Sequence, residues 1–118
     1  MESRATARYV RVSAQKMRLV ATMVRGCDVP DAIEMLSFTN KKSAPIVRKL
    51  IESAVANAEE QAQRTSEDLD IDDLFVQAIT VDAGPTLRRF RPRAQGRATK
   101  ILKKTAHVTV HLAVRQEA

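Results

Sequence analysis

Apolar positions along the chain change period several times, and each change marks an element. Met17, Val20, Ala21 and Val24 recur at i, i+3, i+4 and i+7, one stripe of a helix predicted over Ala14 to Arg25. Ser13 supplies an N-cap hydroxyl in front of it, and Gly26 fits the left-handed residue that ends helices. Arg18 and Arg25, seven apart, share another face of the same helix. Val29-Pro30-Asp31 starts a short second helix through Leu36, with Ile33 and Leu36 inward. Asn40-Lys41-Lys42-Ser43 is polar and cap-like, and Pro45 is tolerable because it falls in a first turn. A third helix follows from about Ala44 to Gln61, with Val47, Leu50, Ile51, Ala54 and Ala58 as its buried stripe. Its alanines allow close approach to a sheet.

Elsewhere the period is two. Ala5 to Val12, with β-prone Tyr9, Val10 and Val12, reads as a strand or extended lead-in. Leu74 to Val81 is short, apolar and β-branched, a strand whose faces the imperfect alternation does not assign. Val108, Val110, Leu112 and Val114 alternate with His107, Thr109, His111 and Ala113, a half-buried strand with both histidines on its polar face. The order β-α-α-α-β-β predicts an α+β fold: three helices packed on a small antiparallel sheet.

Between the last two strands lies TLRRFRPRAQGRATKILKKTAH, Thr86 to His107, with eight Lys or Arg and no acid. It has no helical stripe, and Ala94-Gln95-Gly96 gives a turn signal at its middle. The economical reading is a long projecting β-hairpin bent near Gln95-Gly96. Each arm spans about ten to sixteen residues, roughly 35–50 Å at about 3.3 Å per residue. A compact chain of this length has a radius of gyration of about 13 Å. The expected organisation is one domain over 1–118: a globular body from 1–82 and 107–118, and an extended basic hairpin over 83–106.

Charge sharpens this picture. The 118 residues carry a net charge of +6, and 13 of the 14 acids lie at or before Asp82. From Ala83 to Gln116 there are nine basic residues and no acid. Segregation of this kind suits a polyanion-binding surface. In the hairpin Arg outnumbers Lys five to three, which favours phosphate forks and stacking on bases, so structured RNA is the natural counterpart. A DNA-binding ribbon is an alternative. A membrane surface fits less well, because no strong apolar face opposes the charges.

Other chemistry finds no footing. Glu59 to Asp73 carries seven acids against Arg64 alone, but the Gly and terminal Glu of a calcium loop are absent. His107 and His111 have no evident third ligand. No P-loop, G-x-S-x-G or Cys/His metal spacing occurs, so neither an enzyme nor a bound cofactor or metal is expected. Cys27 is the one cysteine and suits a reducing compartment. With no apolar run of about 20 residues and no signal-like N-terminus, a soluble intracellular protein is expected.

Nearly the whole chain resembles the bacterial large-subunit ribosomal protein L twenty-two family. ARYVRVSAQKMRLVATMVRG looks like that family's N-terminal strand and first helix, and FTNKKSAPIVRKLIESAVANAE like its third helix. VDAGPTLRRFRPRAQGRATKILKKTAHVTV is the most specific part: Arg88, then Arg93-Ala94, Gly96-Arg97 and His107-Val108 at the family's spacing. Gln95 departs from it, standing where a basic residue is common. The resemblance implies a small α+β body near the exit of the nascent-peptide tunnel and a hairpin threading into ribosomal RNA. It also implies a role in subunit assembly in the cytoplasm, with the tip Arg93, Ala94, Gln95, Gly96, Arg97 and Ala98 in the tunnel wall. Its expected partners are large-subunit ribosomal RNA, neighbouring large-subunit proteins and the nascent polypeptide, with no membrane and no homo-oligomer. An off-ribosome, sequence-tolerant RNA or DNA chaperone is the alternative.

The residues expected to bind ribosomal RNA are Arg8, Arg11, Lys16, Arg18, Arg25, Lys41 and Lys42 on the body. On the hairpin they are Arg88, Arg89, Arg91, Arg93, Arg97, Lys100, Lys103 and Lys104.

Overall fold

Strand β1 (Glu2–Val10) leads into α1 (Ala14–Val24), α2 (Val29–Phe38) and α3 (Ser43–Thr65). A 3-10 turn at Ile71–Asp73 precedes β2 (Leu74–Ala83), β3 (Leu87–Pro92), β4 (Ala98–Lys103) and β5 (Ala106–Val114). The computed structural model describes the backbone of residues 2–92 and 98–115 and the side chains of residues 2–88 and 102–115.

The strands form a three-stranded sheet in the order β1-β5-β2 and a two-stranded ribbon of β3 and β4, all antiparallel. The α+β class is as the periodicity predicts. One core lies between the helices and one face of the three-stranded sheet. Met17 and Val20 of α1, Val47 and Ile51 of α3, and Val108, Val110 and Leu112 of β5 are all at 0% exposure. Ala54 and Ala58, also fully buried, bring α3 close to β1. There Ser3 Oγ donates to the Ala54 carbonyl at 3.0 Å and Asn57 Nδ2 to the Arg4 carbonyl at 2.9 Å.

The helix signals hold with shifted ends. Ser13 accepts from the Lys16 amide at 3.4 Å, and Gly26 sits at φ +84°. The cap-like Asn40–Ser43 run makes no side-chain cap on α3: Lys42 is helical there, and Ser43 is buried inside the first turn. α3 continues past Gln61 to Thr65 because Ala62 is buried and Arg64 pairs with Glu60 one turn earlier. Ser66, left-handed at φ 56°, ends it.

Strand ends moved for reasons of pairing. β1 begins at Glu2 rather than Ala5, since β5 supplies ladder partners as far as Ala113. It ends at Val10, where Tyr9 at φ 57° breaks the register between Ala7 and Val10. In β2 the register shifts between Val76 and Ala78. Leu74 and Val76 face the core before that bulge, and Ile79 and Val81 after it. A change of parity within one strand is what blurred its alternation.

The same device separates body from ribbon. Ala83 pairs with Ala106 and Leu87 with Lys103, so residues 84–86 oppose 104–105. The Gly84 amide donates to the Thr105 carbonyl at 3.0 Å, and Thr105 Oγ1 to the Pro85 carbonyl at 2.6 Å. Thr105 is 4% exposed. A Cβ on Gly84 would lie 2.5 Å from Thr105 Oγ1 and 3.2 Å from His107 Nε2. His107 is held in turn by Tyr9, whose amide donates to Nδ1 at 3.1 Å and whose ring meets it edge-on at 4.9 Å. Beyond this joint six residue pairs run from Leu87↔Lys103 to Pro92↔Ala98. The described chain measures 66 × 28 × 20 Å with a radius of gyration of 17.8 Å, against about 13 Å for a compact chain.

Candidate nucleic-acid interface

Three separate segments of sequence meet in one open groove of about 770 Å³. The lead into α1 supplies Arg11, Val12, Ser13, Lys16 and Leu19. The start of α3 supplies Lys41, Lys42 and Ser43, and the end of β4 with the residue after it supplies Leu102, Lys103 and Lys104. Local structure explains each contribution. Burial of Met17 and Val20 turns Lys16 and Leu19 outward, and burial of Ser43, Ala44 and Val47 leaves Lys41 and Lys42 exposed ahead of α3. Lys103 and Lys104 are exposed just before the buried Thr105.

The groove therefore gathers six cations and no lining acid. Both helices also begin there, with no acidic residue in either first turn. Helix N-termini carry a partial positive charge, so their fields add to those of the side chains. Such a surface attracts a polyanion, and phosphates most readily.

The other sequence-predicted cations are distributed differently. Arg8 is exposed on β1 outside the groove, and Arg88 is exposed on β3. Arg18 and Arg25 reach across from α1 to β2: Arg18 Nη2 donates to the Val81 carbonyl at 3.0 Å, and Arg25 Nη2 to the Ile79 carbonyl at 2.8 Å. β2 is an edge strand, and these guanidinium groups, two helical turns apart, occupy carbonyls an edge leaves open. Further along the same edge, the Gly26 amide donates to the Val76 carbonyl and the Val76 amide to the Cys27 carbonyl, both at 2.9 Å. At least part of the binding capacity of Arg18 and Arg25 is thus committed to the fold.

Within the ribbon, Arg89 and Arg91 occupy β3 and Lys100 occupies β4. Opposed positions share a face of an antiparallel ladder. Positions 88 and 100 therefore fall on one face, and 89, 91 and 103 on the other, so basic residues are assigned to both faces of the ribbon. The expected bend at Gln95-Gly96 and the tip residues Arg93, Ala94 and Arg97 lie outside the described residues. Ala98 opens β4, paired with Pro92.

Sequence reasoning missed Leu19 and Leu102 in the groove and the Gly84–Thr105 joint. The leucine at 19 carried a usable signal, because it is a large apolar residue off the buried stripe of its helix.

The pattern of the family described as ribosomal protein L22p/L17e matches residues 5–113. The large ribosomal subunit protein uL22 of Bdellovibrio bacteriovorus is 57% identical over 112 residues, covering 95% of this chain and 97% of the relative. Its counterpart from Desulfotalea psychrophila is 54% identical over the same shares.

Proposed function

The chain belongs to the ribosomal protein L22p/L17e family, and from that premise we propose that it staples segments of large-subunit ribosomal RNA together through its groove and ribbon. A protein of this family is a structural component of the large subunit and takes its place in the cytoplasm with the ribosome. One observation carries the RNA reading: six cations from sequence-distant segments converge in a single acid-free groove at the root of a basic ribbon. Arg11, Lys16, Lys41, Lys42, Lys103 and Lys104 hold one RNA segment against the body. Arg88, Arg89, Arg91 and Lys100 carry the contact outward on both faces of the ribbon, so a second segment can pack on the far side. Arg8, Arg18 and Arg25 contribute charge from β1 and α1.

The division into a body (1–82 and 107–118) and a hairpin (83–106) fits this role. In this reading the tip, positions 93–98, lines the nascent-polypeptide tunnel and meets the growing chain, while the body rests against neighbouring large-subunit proteins. The 66 Å long dimension supports a reach of that kind. No helix among the described residues is long and apolar enough to cross a membrane.

Binding driven by phosphate neutralisation follows counterion release, about −0.7 in log–log salt slope for each contact on single-stranded RNA. Six groove contacts predict a slope of about −4. Titration of the protein onto large-subunit RNA fragments at several salt concentrations measures it. A slope near zero would refute the reading, and equal affinity for any RNA or DNA would favour an off-ribosome chaperone.

A further inference from the structure

A surface built only to hold phosphates has no use for large apolar side chains, yet the groove contains two. Leu19 is 57% exposed and Leu102 is 50% exposed, and both line it together with Val12. Singly exposed leucines are common on protein surfaces. Here one comes from α1 and the other from β4, 83 positions apart in sequence, and both line a groove that six cations also line.

We propose that this groove receives an unstacked nucleotide, its base lying against Leu19 and Leu102 and its flanking phosphates held by Lys41, Lys42, Lys103 and Arg11. The inference rests on the RNA-binding reading above and specifies the form of RNA that the groove selects. A duplex offers it phosphates and riboses but keeps its base faces stacked. An RNA loop or bulge offers both a backbone and an apolar face, which is how proteins usually engage single-stranded RNA. The volume of about 770 Å³ lies within the range of about 300–1,000 Å³ typical of sites for small organic ligands, which fits a splayed nucleotide better than a helix. Contact between aliphatic side chains and a base face is indifferent to base identity, so the site selects unpaired over paired RNA rather than one base over another.

The test uses the full chain and two RNA probes with equal numbers of phosphates, one a perfect duplex and one a stem closed by an unpaired loop. Affinities are measured by fluorescence anisotropy across a salt series. The wild type is expected to favour the looped probe. Leu102→Ser and Leu19→Ser each weaken looped-probe binding about fivefold, the loss expected from removing part of a leucine's apolar contact. Both leave duplex binding and the salt slope unchanged. Leu102→Met, which keeps an apolar side chain, retains the preference. Each leucine is at least half-exposed, and melting temperatures confirm that the body is intact. If the serine variants weaken both probes equally, or neither, the nucleotide pocket is overturned and the leucines serve a different partner. Failure of the RNA-binding reading itself looks different: the wild type then binds neither probe in a salt-dependent way.

Discussion

β4 and β5 are consecutive strands, parted only by Lys104 and Thr105, yet they are stabilised by different means. β5 is the central strand of its sheet, paired on both edges, and Ala106, Val108, Val110 and Leu112 are fully buried beneath the helices. β4 is paired on one edge only, and Leu102 near its end is half-exposed. Burial on the scale of β5 is worth about 1.5–3 kcal/mol per large aliphatic side chain. An isolated two-stranded ribbon is marginal in water, and the segment that contains this one, Thr86–His107, carries eight like charges. The body therefore folds by excluding water, whereas on the proposed reading the ribbon gains its remaining stability from the RNA it binds. On that reading, stability resides in the body, whereas recognition is shared between the groove on the body and the ribbon, with Gly84 and Thr105 at the boundary.

The comparison is broken most directly in the core. Leu112→Ala should cost about 2–5 kcal/mol in chemical denaturation, a large part of the stability of a domain this size. Lys103→Ala, at an exposed position on β4, should leave body stability nearly unchanged while weakening RNA binding. Equal destabilisation by the two would mean that the ribbon is part of the cooperative unit. The same contrast appears in hydrogen exchange. In free protein, amides of Leu87–Arg91 and Ala98–Lys103 should exchange far faster than those of Val108–Leu112, and RNA should protect them. Strong protection of the ribbon without RNA would contradict the account.

Next in size is the joint. Gly84→Ala places a Cβ at 2.5 Å from Thr105 Oγ1, so one arm must shift. The expected result is a stability loss of about 1–3 kcal/mol and a larger loss of RNA affinity at unchanged salt slope, because the ribbon is re-aimed rather than discharged. Smaller again is the separation of structural from binding cations. Arg25→Ala removes the guanidinium bond to the Ile79 carbonyl and should cost about 1–2 kcal/mol of stability. Lys41→Ala should cost almost nothing in stability but reduce the salt slope by about 0.7. The smallest expected effect is at Glu60, whose exposed pair with Arg64 contributes about 0.3–0.5 kcal/mol. Glu60→Ala should barely move the melting temperature.

How far the sequence could be read follows the same division. The stripes Met17–Val20–Ala21–Val24 and Val47–Leu50–Ile51–Ala54–Ala58 are local patterns, and all nine residues are buried as expected. The faces of Leu74–Val81 were illegible because a bulge reverses parity midway. The sequence alone ends α3 early, because Glu59, Glu60 and Arg64 suggest a loop, whereas a buried Ala62 and an i,i+4 ion pair extend the helix. The cations were visible one by one. Their convergence was not, since residues 11–16, 41–42 and 103–104 meet only through tertiary packing. Charge alone also could not say that Arg18 and Arg25 face the open edge of β2.

Ultraviolet crosslinking in living cells, with identification of both the RNA and the crosslinked peptides, tests the central claim most directly. The account predicts crosslinks from the groove and from Thr86–His107, concentrated on a few sites of large-subunit ribosomal RNA. Crosslinks scattered over messenger RNA, or confined to body residues away from the groove, would contradict it.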